Sequence, residues 1–419
     1  MRITFVMCRL IRGGGVRVAF EYANQLQKRN HEVYVVYPAV TIPIRARFNV
    51  KDLLLIVFGS LKRCLRRPID KDRAQPFETD ASLIEVPLFY PLFAKILPFA
   101  KLLEWSIPDA DIIIATAWET AYLVSTLSDR KGQKFYFVQS YEIWGVWNDT
   151  ECWKKAKRLK KEDEKCAVAM ADVMPKKKKL REYKELVDRS YQLPLRKITI
   201  AEWLRQLIEN KFDQRVEEVI PNGVNFNIFF KEGDRRDEAE HISVLMPYRP
   251  DKLKGFNDGL DAFARVRAQH PNTRFAVFGR RPPHKSGQLL GLPEWIEFHD
   301  IESDAQLRAL YNDAHIFVLP SWIEGFPLPP MEAMACGCAV VTTDAGGFVD
   351  YLKNGQTALV VPIKDPAALA RSVCRLIEDE NERRRVAENG HQLIRQFTWE
   401  NAAEKMEAVL KKDNKACLW

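Results

Sequence analysis

Short apolar runs rich in β-branched and aromatic residues recur along the chain, and stretches of helical periodicity separate them. Arg2–Met7 reads as a strand, Val16, Val18, Ala19, Phe20, Ala23 and Leu26 share one helical face, and Glu32–Val36 reads as the next strand. The same alternation predicts strands at Ile112–Ala115, Phe135–Val138 and Lys197–Ala201. It resumes with Ile242–Met246, Phe275–Gly279, Ile316–Leu319, Ala339–Thr342 and Leu359–Val361. Strands alternating with helices predict parallel sheets covered on both faces. The polar stretch Lys231–His241 interrupts the series and reads as a linker, so two α/β units are expected, at 1–230 and 241–397. A length of 419 residues suits two cores better than one.

The stretch Leu319–Asp350 carries the most chemistry. The strand Ile316–Leu319 ends at Pro320, a loop with Gly325 and Pro327 follows, and a helix is predicted from near Pro329 to Cys336, with Gly337 as its left-handed terminator. Glu324 then stands at the strand exit and Glu332 in the first turn of the helix. Strand exits of an open parallel sheet are where ligands bind, and a helix start there offers amide N–H groups to an anion. The plainer reading makes Glu332 a complement to the helix dipole and Glu324 a solvated loop residue.

Composition narrows the class. Mean hydropathy is −0.28 and 47% of residues are hydrophobic, as in a globular enzyme. No run of about 18 uncharged apolar residues is present to span a bilayer, and the apolar start is too short for a signal peptide. A cytosolic protein is expected. The eight cysteines form no C-x-x-C pair, so a zinc site is not expected, and reduced thiols suit the cytosol. Residues 154–184 carry 13 Lys/Arg against five acids, a surplus equal to the net charge of +8 of the whole chain. These cations face anionic lipid, nucleic acid or only solvent. Apolar residues around 88–103, edged by Lys95 and Lys101, suit either an anionic membrane surface or a buried helical pair. Asp109-Ala110-Asp111 has the form of a metal-holding pair but reads more simply as a polar strand start.

At the first strand exit Gly13-Gly14-Gly15 lets the backbone approach a ligand closely, although it is not the G-x-G-x-x-G fingerprint of dinucleotide binding. Arg249 and Lys254, five residues apart at another strand exit, can close on one pyrophosphate, the first as a fork and the second as a point charge.

The run Glu324-Gly325-Phe326-Pro327-Leu328-Pro329-Pro330-Met331-Glu332 followed by Ala-Met-Ala-Cys-Gly resembles the Glu-x7-Glu signature of retaining nucleotide-sugar glycosyltransferases of family 4. The resemblance covers nearly the whole chain and is weakest over 40–110 and 145–195. It implies the GT-B fold, two Rossmann-like domains facing each other across a cleft, with a helix at 398–415 crossing back to the first. It puts Glu324 against the transferred sugar and Glu332 on the ribose. Arg249 and Lys254 would be the phosphate clamp, Gly14 and Gly15 would lie beneath the donor phosphates, and Gly325, Phe326 and Pro327 would line the substrate site. None of the seven histidines falls near the strand exit 138–147, where many family 4 members carry one. The form Val138-Gln139-Ser140-Tyr141-Glu142 is similar to the rhamnosyltransferase-type branch, which makes Tyr141 and Glu142 acceptor-side candidates. Gly279-Arg280-Arg281-Pro282-Pro283 departs from the usual Gly-x-Gly-Pro.

The expected activity is transfer of a hexose of rhamnose, glucose or mannose type from a nucleotide diphosphate sugar to a glycan or lipid-linked acceptor, without metal or cofactor. The membrane's inner face is the surface that 154–184 and 88–103 would meet. Nucleic acid is not an expected partner. A sugar-nucleotide epimerase of GT-B type and a non-enzymatic binder of anionic surfaces are the rival readings.

Overall fold

The computed structural model describes residues 1–8, 10, 13–38, 82–86, 104–159, 166–233, 241–279 and 292–412. The predicted 88–103 segment and the departure at 280–283 lie outside them.

The first half runs β1 (Arg2–Val6), α1 (Gly14–Lys28), β2 (Glu32–Pro38), β3 (Ser82–Val86), β4 (Ile112–Ala115), α2 (Trp118–Thr126) and β5 (Gln133–Val138). It continues with α3 (Trp144–Trp147), α4 (Thr150–Leu159), α5 (Cys166–Ala171), α6 (Lys178–Tyr191), β6 (Arg196–Thr199), α7 (Glu202–Phe212) and β7 (Val216–Val219). These strands form one parallel sheet of order β3-β2-β1-β4-β5-β6-β7. Central strands of such a sheet are covered on both faces, which is why β4 is wholly apolar and wholly buried.

The second half runs β8 (Ser243–Pro247), α8 (Phe256–Gln269), β9 (Arg274–Gly279), β10 (Ile296–Asp300), α9 (Asp304–Asp313), β11 (Ile316–Leu319), α10 (Leu328–Ala335), β12 (Ala339–Thr343), β13 (Leu359–Val361), α11 (Pro366–Glu378) and α12 (Glu380–Ile394). Its parallel sheet has the order β10-β9-β8-β11-β12-β13. Both sheets are thus doubly wound, with the order of strand addition reversing between β1 and β4 and again between β8 and β11. Those two switch points open crevices at the carboxyl ends of the strands.

The last described helix, α13 (Trp399–Lys411), starts at the N-cap Thr398, whose hydroxyl accepts from the Asn401 N–H. It returns to the first half and packs on α1. The Trp399 ring stands edge-on to Tyr22 at 5.6 Å, Gln25 donates to Glu400 at 3.1 Å, and Arg29 meets Glu407 at 2.6 Å. The two-domain GT-B architecture expected from the sequence is present.

Some local readings change. The expected helix over Ala156–Met170 is two helices, α4 and α5, with 160–165 outside the described residues. Of the linker stretch, Glu232 is already fastened to α9: its backbone N–H donates to Asn312 at 2.8 Å and its carboxylate meets Arg308 at 2.6 Å. Asp109 pairs with Lys131 at 2.7 Å, and Asp111 accepts the Arg2 N–H at 2.7 Å, so both anchor the start of β4. No helix among the described residues is long and apolar enough to cross a membrane.

Candidate active site

Lys254 and Glu324 come from the exits of β8 and β11, the switch strands of the second sheet. A turn at Lys252–Lys254 precedes α8, and Gly255, which ends it, has φ +62°, a backbone that favours glycine. A Cβ there would also run into the Pro320 carbonyl oxygen, and the Trp322 N–H donates to the Leu253 carbonyl at 2.8 Å. The lysine turn is therefore pressed directly onto the loop after β11. That contact brings Lys254 Nζ to 2.8 Å from Glu324 Oε2. Glu324 Oε1 accepts from the buried Ser321 hydroxyl at 2.8 Å, and its backbone N–H donates to Ala345. The carboxylate is held by two side chains and its backbone by a third contact, in a half-buried position.

Glu332 sits one turn into α10 and is 5% exposed. Tyr311, fully buried on α9, donates its hydroxyl to Glu332 Oε2 at 3.2 Å. Arg17 reaches over from α1 to within 3.3 Å of Glu332 Oε1. Burial pushes the Glu332 carboxyl above the usual range and Arg17 opposes the shift, with Arg249 adding to that opposition. Arg249 itself is exposed and, among the described residues, has no ion-pair partner. The structure thus puts Lys254 against Glu324, and Arg249 within electrostatic reach of Glu332.

The helix start after Glu324 differs from the expectation. α10 begins at Leu328, with Pro327 as N-cap and Pro329 and Pro330 in its first turn. Prolines carry no N–H, so an anion here meets only the Leu328 and Met331 amides of that turn. More of the burden of holding a diphosphate falls on Arg249 and Lys254. Gly14 and Gly15 open α1, with no acidic residue in its first turn, so its free amides face outward. A Cβ on Gly14 would meet nothing within 4 Å, whereas one on Gly15 would lie 3.4 Å from Gln139 Oε1.

Gly325 and Phe326 join the two halves. A Cβ at Gly325 would run into the Gln139 carbonyl of the first half, and Asn222 donates to the Phe326 carbonyl at 3.0 Å. The Phe326 ring is buried among Phe348, Tyr351 and Phe397, with centroids 5.5–6.2 Å away. It shapes the junction and does not line a site.

Tyr141 and Glu142 do not point toward this group. Tyr141 is fully buried beside Trp147 and Tyr191, and its hydroxyl donates to Asp188 at 2.6 Å. Glu142 accepts the Trp118 N–H at 2.7 Å and so caps the start of α2. The polar group that does stand at the β5 exit is Gln139, whose Oε1 is buried without a hydrogen-bond partner. Sequence reasoning passed over it, because the 138–142 run directed attention to Tyr141 and Glu142, and over Arg17, because it belongs to no motif. The only signal was the gap where a histidine was sought.

Among the described residues no cluster of three His, Cys, Asp or Glu side chains could hold a metal. Of the basic segment, Lys184 is buried against Asp188 and Lys177 pairs with Asp149, while Lys176, Lys178, Lys179 and Arg181 are exposed.

Residues 230–393 match the family model described as glycosyl transferases group 1. The MMP alpha-(1->4)-mannosyltransferase of Mycolicibacterium hassiacum is 31% identical over 200 residues, 46% of this chain and 48% of that protein. The capsular polysaccharide biosynthesis glycosyltransferase CapM of Staphylococcus aureus is 26% identical over 204 residues, 45% of this chain and 54% of that protein. The chain thus spans about half the length of these relatives. In fold it is similar over 99% of both chains to sucrose-phosphate synthase from Thermosynechococcus elongatus, at 18% identity and a TM-score of 0.71. It is similar over 98% of its length to Anabaena HepE, solved in complex with UDP and glucose, which is covered to 99%, at 16% identity and a TM-score of 0.65. With both sheets and the switch-point residues in place, the chain has the GT-B fold, and its residues 230–393 match the model of the group 1 glycosyl transferases.

Proposed function

We propose that the chain is a retaining, metal-independent glycosyltransferase of family 4 that moves a hexose from a nucleoside diphosphate sugar to a glycan or lipid-linked acceptor in cell-envelope polysaccharide synthesis. The observation that carries this reading is the Lys254–Glu324 pair at the β8/β11 switch point, with Arg249 and Glu332 acting on the same crevice. The relatives named as a mannosyltransferase and a capsular polysaccharide enzyme support the substrate class.

The diphosphate is the leaving group. Arg249 and Lys254 neutralise the charge that develops as the sugar C1–O bond breaks, a task that otherwise falls to a metal ion. The acceptor oxygen forms its bond to C1 on the same face, and its proton passes to the departing diphosphate oxygen. Glu324, fixed by Ser321 and Lys254, holds sugar hydroxyls, and Glu332 holds the ribose. Gln139, with its unpartnered amide oxygen, takes a further hydroxyl at the sugar's other side. Exposed Trp144 and Met174 beside the exposed cations of 176–181 support a peripheral membrane contact near a lipid-linked acceptor.

The test is a thermal-stability screen of nucleoside diphosphates and their sugars, followed by transfer from the stabilising donor. Stabilisation and transfer are expected. An isomerised donor without transfer would favour an epimerase, and vesicle binding without nucleotide affinity a surface-binding protein.

A further inference from the structure

Arg17 leaves the half of the molecule that carries it. Its guanidinium lies 3.3 Å from Glu332 and 3.3 Å from Asp304, both in the second half, and 3.9 Å from Glu21 on its own helix. The Phe229 ring lies 5.5 Å away, and the arginine side chain is 14% exposed. A carboxylate offers about four acceptor directions. Arg17 occupies one on Oε1 of Glu332 and Tyr311 one on Oε2. What remains is acceptor capacity on each of the two oxygens, which a vicinal diol can use.

We infer that Arg17 is a positioning residue for the nucleotide: reaching across the cleft, it keeps the Glu332 carboxylate charged and its plane fixed, so that both ribose hydroxyls can donate to it. This rests on the donor reading above. Because Arg17 is carried on α1, Glu332 has this counter-charge only when the halves are closed, and ribose binding and closure become one equilibrium. The charged groups facing Glu332 are Arg17 and Glu21 from α1, Asp304 from α9 and Arg249 from the loop after β8, with the Tyr311 hydroxyl from α9 held protonated by burial. Removing Arg17 leaves burial, Asp304 and Glu21 to raise the Glu332 pKa further, with Arg249 as the remaining opposing charge.

The experiment measures affinity of the full chain for UDP, GDP and ADP and their 2′-deoxy forms between pH 6 and 8. In the wild type, a bound nucleoside diphosphate should exceed its 2′-deoxy form by roughly tenfold or more, as expected for one lost hydrogen bond to a charged group. In Arg17→Gln, affinity should fall about tenfold, the preference should shrink toward unity, and binding should weaken as pH drops. Arg17→Lys, which keeps the charge without the fork, should keep the flatter pH profile while losing part of the preference. Wild-type affinity, preference and pH profile in Arg17→Gln would overturn the inference, as would tighter binding, which would make the pair an inhibitory lock. If Arg17→Gln does not melt cooperatively, an unchanged preference in Arg17→Lys overturns it. A wild type that binds a nucleotide without preferring ribose sinks this inference alone, whereas one that binds none removes the donor reading with it.

Discussion

At the scale of single residues, the site is built from charges already matched to one another. Lys254 and Glu324 lie 2.8 Å apart with side chains 19% and 16% exposed, so each shields the other until a ligand arrives. Lys254→Ala and Arg249→Ala should each lower transfer by about 10²–10³-fold, the usual loss for one preorganised charge-stabilising donor, while melting temperature changes little. Rates measured with saturating donor check this. EDTA should leave the same rate within about twofold, since the two cations take the place of a Lewis acid. These residues were legible in the sequence because their motifs keep fixed spacing at strand exits. Arg17 was not. A long cation on a helix is ordinarily solvated, and only the ion pairs with Glu332 on α10 and Asp304 on α9 turn it inward. Tyr141 misled for the opposite reason: a tyrosine at a strand exit reads as a ligand contact until its ring is found packed at an angle among Trp147, Tyr191 and Phe212 in the core.

At the scale of elements, α13 is fastened to α1 by Glu407. Burial works against its charge, but hydrogen bonds from Lys411, Arg29 and His31 outweigh it and hold the pKa at about 2. A carboxylate depressed in the folded state stabilises it above the unfolded value near 4.5, and that contribution fades as pH falls toward 2. Glu407→Gln should therefore cost roughly 2–3 kcal/mol at pH 6 and flatten the loss of stability between pH 5 and pH 2. Denaturant titrations across that range would show both. The loop after β11 is the second such joint. Gly325→Ala places a methyl against the Gln139 carbonyl, and transfer should fall about tenfold or more as the halves are wedged apart. Most strands of both sheets were legible from their apolar runs. β3, β7 and β10 were not, because Glu85, the Glu217-Glu218 pair, and Glu297 with His299 break up their apolar runs. The start of α10 was legible from its prolines, although the same prolines remove the amides that an anion would use.

At the scale of the molecule, the two halves meet through few but specific contacts. Trp203 donates to the Gly325 carbonyl, and the Lys364 ammonium sits 3.5 Å over Trp153 and 4.2 Å over Trp322, rings from opposite halves. Such cation–π pairs contribute about 0.5–2 kcal/mol each. Trp153→Ala should thus favour an open cleft, seen as a larger radius of gyration by solution scattering and a raised donor KM with kcat less affected. A donor at about 100 times its Kd should add roughly 2.7 kcal/mol to stability.

The return of α13 has a further consequence for how the protein is made. β1 and α1 are synthesised well before α13, yet the face of α1 bearing Tyr22 and Gln25, which rests in part on Phe137, is completed by Trp399 and Glu400. During translation the early half must wait, with that face open to water, until hundreds of later residues have left the ribosome. The later half can mature beforehand, so the order of synthesis and the order of completion are reversed.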